Sequence, residues 1–221
     1  MSRRRRHARV AALVAAAVLA AAGPGGRPAA LAADEAILPL EQHAAGDARA
    51  LAAEHAGELR RLRAELRPCA TRLDVQRHGL AFRRPQAQPA AAPHLTLWVW
   101  VDPGQPPAGG SLVARAAGVF ERHGRALFAR LLSHSPVFTD ARVGGYGLIL
   151  TWLSPAQRGG RLVGESLAVF ADKLAVANFV HETIGATTFL VRADVRAFDG
   201  QTELTSPGLV VGDDTGPAPS C

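Results

Sequence analysis

Two short segments of this chain are apolar on both faces of an extended backbone, and they constrain the fold more than anything else in it. In Leu95–Val101 (LTLWVWV), Leu95, Leu97, Val99 and Val101 fall on one side, Trp98 and Trp100 on the other. Val143–Leu153 (VGGYGLILTWL) has the same character. Strands of this kind belong in the middle of a sheet covered on both sides, and Asp102-Pro103-Gly104 supplies turn chemistry after the first.

Amphipathic stretches provide the covering layers. Leu40, Ala44, Ala48, Leu51, His55, Leu59, Leu62 and Leu66 recur at steps of three or four, which predicts one helix from Leu40 to Arg67 ended by Pro68. The stripe suits packing on the protein's own sheet or, at about three and a half heptads, a partner helix. Ser111 is placed as N-cap of a helix reaching Leu132. A further helix is expected from Glu165 to Ile184, with Gly185 at its C′ position. Strands are expected at Leu73–Phe82, with a break at Gly79, and at Thr187–Phe198, whose alternation suits a half-exposed edge. The order α-β-β-α-β-α-β implies an α+β domain: a mixed sheet of about four strands packed by two amphipathic helices, with an N-terminal helix in front.

The ends have a different character. Arg3 to Arg6 and Arg9 precede the 13-residue apolar run Val10–Ala22, and Ala30-Leu31-Ala32 fits a small-x-small cleavage site. This is the pattern of a cleavable signal peptide over 1–32, too short for a bilayer span. Ala22 offers a second cleavage point, and general and twin-arginine export both remain open. The expected divisions are 1–32 signal, 33–69 helical region, 70–204 α+β domain and 205–221 disordered tail. Removing the signal also removes the basic charge. Six of the 25 Lys+Arg lie before Ala33 and no acidic residue does, so 19 basic face 19 acidic residues. No nucleic-acid partner follows from such a balance. Cys69 and Cys221 would then lie in an oxidising periplasmic or extracellular compartment, where an internal bridge, an intermolecular one and reduced thiols are all open.

No motif in the chain carries catalysis or a cofactor. His181-Glu182 begins like a zinc-protease helix, but Gly185 stands where the second histidine belongs. Gly164-Glu165-Ser166-Leu167-Ala168 resembles a nucleophile elbow, yet no strand long enough precedes Ser166 and only His181 follows. The histidines (His7, His43, His55, His78, His94, His123, His134, His181) show no tight ligand spacing, so no metal is expected. Asp102 ends a central strand, and Glu121, Asp140, Glu165 or Glu182 would have to meet it to make a hydrolase. Arg192 and Arg196 read as a solvated strand edge.

The most suggestive group is aromatic. If the two apolar strands are neighbours, Trp98 and Trp100 could meet Trp152 or Tyr146 across the sheet and form a ligand surface for sugars or peptides; packing under helices is the plainer alternative. The sequence therefore leads to an exported, non-enzymatic module, monomeric or homodimeric, binding a protein or small molecule. The alternatives are a small exported hydrolase and an assembly subunit dimerising through the N-terminal helix.

Overall fold

The computed structural model describes residues 35–66, 73–101, 110–158 and 161–212, with backbone alone at 155–158, 161 and 162. Among these residues the elements run α1 (Gly46–Glu54), α2 (Ala56–Leu66), β1 (Leu73–Arg83), β2 (His94–Val101), α3 (Leu112–Leu132), α4 (Ser135–Thr139), β3 (Gly145–Arg158), β4 (Arg161–Asp172), α5 (Lys173–Val180), α6 (Ala186–Arg192), β5 (Asp194–Phe198) and β6 (Glu203–Thr205). A 3-10 turn, Leu40–Gln42, precedes α1. The domain is α+β.

The strands form one mixed sheet in sequence order, β1-β2-β3-β4-β5-β6. Only β2 and β3 pair in parallel, and α3 makes the crossover between them; the other neighbours are antiparallel. The two doubly apolar segments are thus adjacent strands near the centre, in the register Leu95↔Tyr146, Leu97↔Leu148 and Val99↔Leu150.

Alternation divides the sheet into two faces. The inner face carries Leu73, Val75, Leu80 and Phe82 on β1, Leu95 to Val101 (odd numbers) on β2 and Tyr146 to Trp152 (even numbers) on β3. Leu167, Val169 and Ala171 on β4 and Val195 and Ala197 on β5 complete it; all are buried and belong to one apolar cluster with the helices. Helix α3 packs on β3, β4 and β5, α5 on β3 and β4, and α1 and α2 on β1. Phe120, Phe179 and Phe189 stack in this layer, with Phe179 and Phe189 at 4.4 Å and Phe128 edge-on to them.

Local chemistry accounts for several boundaries. Ser111 caps α3, accepting a hydrogen bond from the Ala114 amide, and Asp172 does the same for α5 through Ala175. Strand β1 is continuous but bulged: its register shifts between Val75 and Leu80, His78 takes φ +56°, and the first described residues pair with it there. A Cβ on Gly79 would lie 2.5 Å from the Trp98 carbonyl oxygen, so glycine is required at this close approach.

The architecture departs from expectation in five places. The sheet has six strands rather than about four. Strand β4 occupies residues assigned to the helix from Glu165, because Phe170, Leu174, Ala177 and Val180 mimic a helical stripe across the true strand-to-helix junction at Asp172. Conversely, the first half of the expected strand Thr187–Phe198 is α6: Phe189 enters the aromatic stack, and that packing overrides the β-branched composition. Gly185, expected as a C′ residue, is the N-cap of α6 at φ −72°, while Glu182 takes the positive φ after α5. The expected single N-terminal helix bends at His55, which takes φ −93° and ψ 18°.

The expected tail begins as structure. Thr205 closes β6, Leu209 and Val211 are buried, and Thr187 donates its hydroxyl to the Val211 carbonyl; residues 213–221 lie outside the described residues. So do residues 1–32, expected as a signal, and both cysteines, Cys69 and Cys221. No helix among the described residues is long and apolar enough to cross a membrane.

Candidate functional site

The outer face of the sheet is assembled by the same alternation. It presents Asp74 on β1, Trp98 and Trp100 on β2, Ile149, Thr151 and Leu153 on β3, Ser166 and Ala168 on β4, and Phe198 on β5. Trp98, Trp100, Ile149, Ala168 and Phe198 are half-buried and stand outside the apolar cluster that binds the helices to the sheet. Trp98 aligns with Ile149, and Trp100 with Thr151 and Asp74. The Trp98 ring is fixed by its indole N–H, which donates to Thr151 Oγ1 at 2.8 Å.

This face is closed at one end. The connection from β1 to β2 reaches across the sheet, where Gln86 Oε1 accepts a hydrogen bond from Arg196 Nη1 at 3.1 Å. Phe170 lies edge-on to His94, their centroids 6.1 Å apart, and its ring occupies the space that a side chain on Gly147 would fill. Burial pushes the His94 imidazole below its ordinary pKa. Arg196 is held by Asp194 and Glu203. Among the described residues the more exposed portion is the other end, around Trp98, Trp100 and Leu153.

Trp152 does not join this shelf. Its odd-even position places it on the inner face, fully buried, where its indole N–H donates to Glu165 Oε2 at 2.8 Å. Arg115, from the first turn of α3, grips the same carboxylate with two hydrogen bonds of 2.7 and 2.5 Å. Burial works to raise the Glu165 pKa, but the bonds from Arg115, Ser154 and Trp152 outweigh it and hold the group below its ordinary value. Tyr146 is also on the inner face; burial raises its phenol pKa, and its hydroxyl has no hydrogen-bond partner among the described residues.

A second polar cluster joins Glu54, His55 and Asp140, whose ligand atoms lie within 4.8 Å of one another. His55 Nε2 is 2.9 Å from Asp140 Oδ2. Arg142 Nη2 donates at 2.6 Å to both Glu54 and Asp140, so a guanidinium already fills the position a cation would take. Lys173 adds a second positive charge, donating to the Asp140 carbonyl at 2.6 Å. The Arg142 contact is the chief reason that the Asp140 carboxyl lies well below its ordinary pKa, with His55 contributing. This arrangement is an ion-pair network with its own cations, and the residues do not fit a metal centre.

The remaining candidates do not converge. Ser166 lies on β4, aligned with Thr151 and Phe198, rather than on a nucleophile elbow. His181 is exposed after α5, and Glu182 pairs with Arg125 at 2.5 Å. Arg192 ends α6, exposed, and not on a strand. Asp140 and Glu165 each hold separate cations, Glu121 lies beside Gly212, and Asp102 is outside the described residues. The buried pairs Arg115–Glu165 and His55–Asp140 join residues 50 and 85 positions apart, and no local pattern announces such partners. No family model, curated protein or solved structure matches the chain.

Proposed function

We propose that this chain is an exported, non-enzymatic binding module that presents the outer face of its sheet to a neutral ligand with flat apolar faces and hydroxyl edges, a saccharide of the cell envelope. The observation that carries the reading is the pair Trp98–Trp100: two indoles two residues apart on one strand, partly exposed, one of them fixed by Thr151. Aromatic rings held in this way give large contact area at little conformational cost. The export pattern of residues 1–32 supports an envelope location.

Size and charge favour a small ligand over a protein. Strands β2 to β5 at about 4.8 Å spacing, and about six residues of length, make a patch near 14 by 20 Å. That is well below the ~800 Å² per partner of a stable protein interface, but close to the size of the largest functional patches on monomers. Asp74 and Ser166 provide hydrogen-bonding groups around the rings, and the nearby Arg196 is already paired with acids. The partner-helix alternative loses ground because Leu59, Leu62 and Leu66 are buried in this chain's own core.

The test is a native mass spectrum of the protein isolated from its host, followed by titration of tryptophan fluorescence with neutral hexasaccharides such as chitohexaose and cellohexaose. A retained mass of a few hundred daltons or more, and a saturable fluorescence change, are expected. A bare chain that responds to no saccharide, or a dimer, contradicts the proposal.

A further inference from the structure

Arg83, the last residue of β1, carries a charge that no carboxylate answers among the described residues. Arg84, Arg115, Arg125, Arg142 and Arg196 are each held by an acid. Arg83 is half-buried, and its one hydrogen bond among the described residues runs from Nη2 to the His78 carbonyl at 2.8 Å. Its Nε–H is buried and donates to nothing. Burial pushes its pKa down, with no acid to offset the effect. An enclosed cation without a counter-charge is costly, and the guanidinium fork is suited to the oxygens of an anion.

A second unanswered group lies in the same corner. The chain before α1 runs parallel to the edge of β1, where Ile37 pairs with Leu80 and the Leu38 amide donates to the Leu80 carbonyl. It then turns through Leu40–Gln42 to His43, which is 3% exposed. Burial lowers the His43 pKa, and the charges of Arg83 and Arg49 lower it further, so both arginines are within electrostatic reach of the ring. His43 Nδ1 lies 3.2 Å from the Pro39 carbonyl. A carbonyl only accepts, so the ring proton sits on Nδ1 and Nε2 presents a lone pair. That Nε2 is buried and has no partner. Arg49 also donates to the His43 carbonyl at 3.5 Å.

The corner thus holds a buried donor on Arg83, a buried acceptor on His43 and an excess of positive charge. Water would satisfy the two hydrogen-bonding groups but not the charge. A fully deprotonated anion would satisfy the charge but set its oxygens against the His43 lone pair. We propose that this corner is an oxyanion site for inorganic phosphate in its hydrogen phosphate form: phosphate oxygens accept from Arg83, and the remaining P–OH donates to His43 Nε2. Arg83 stands opposite His94, at the closed end of the sheet and away from Trp98 and Trp100. The site is therefore independent of the saccharide reading.

Calorimetric titration of the full processed chain at pH 7.5 and constant ionic strength, with inorganic phosphate and then with sulfate, tests this. Phosphate should bind saturably and raise the melting midpoint. Sulfate, which has no proton to give at this pH, should bind roughly tenfold more weakly, the cost of leaving one buried acceptor unanswered. Arg83→Gln should lose phosphate binding, and His43→Phe should bring the two anions to equal affinity. The preference of the parent chain decides the matter if either variant does not fold. No saturable phosphate binding by the parent, equal affinity for sulfate, or binding retained in Arg83→Gln would overturn the site.

Discussion

The two faces of the sheet are built from the same strands and nearly the same residue types, yet they have different fates. On the inner face, Leu97, Leu148, Leu150 and Trp152 are wholly buried beneath the helices; Trp152 is answered by Glu165 and Glu165 by Arg115, while the Tyr146 hydroxyl has no partner among the described residues. On the outer face, Trp98, Trp100 and Ile149 stay partly exposed, and among the described residues the end near His94 is closed by a loop. Among the described residues, helices thus cover one side of a sheet whose central strands are apolar on both. The difference teaches that apolar character alone does not mark core: the same indole ring is a structural strut at Trp152 and an accessible surface at Trp100.

The comparison breaks most visibly on the inner side. Leu59 and Leu62 are 1% exposed, and changing both to Asp buries two charges against β1. The chain should lose about 4 kcal/mol or more of stability, read from urea unfolding of the monomer. A monomer as stable as the parent would mean that the stripe serves a partner instead. Glu165→Gln should cost about 3 kcal/mol, because it leaves the buried Arg115 guanidinium without its counter-charge; equal midpoints in urea would show that the pair is dispensable.

Acid gives a smaller and graded test. The carboxyls of Glu58, Asp140 and Glu165 all lie below their ordinary values in the folded chain. Each therefore contributes stability that is present above the ordinary carboxylate pKa of about 4 and is lost as pH falls through the lower folded value. Thermal midpoints should be steady near neutrality and decline below about pH 4.5, and the decline should be shallower in Glu165→Gln. A midpoint that rises on acidification would reverse the assigned sign.

How much of this was legible in the sequence follows from the range of each signal. Period-two alternation revealed β2 and β3, and Ser111 marked the start of α3, because both signals are local. The strand-to-helix switch at Asp172 was hidden by Phe170, Leu174, Ala177 and Val180, whose spacing continues smoothly through it. The helix Ala186–Arg192 was hidden because Phe189 owes its conformation to Phe179 and Phe128, distant partners that alternation does not reveal. For the candidate site, the sequence placed Trp98 and Trp100 together correctly on one face. It could not separate Trp152 from them, since that required the parallel register Trp100↔Thr151. Nor could it show that, among the described residues, helices cover one side alone, because both faces of these strands read as core.

The double variant Trp98→Ala/Trp100→Ala, titrated with chitohexaose and cellohexaose by calorimetry beside the parent chain, tests the division of the two faces most directly. The parent should bind at least one hexasaccharide, and the variant should keep its circular dichroism and cooperative melting while losing that binding. A variant that binds as the parent does, or a parent that binds neither sugar, would contradict the assignment of the outer face to a saccharide.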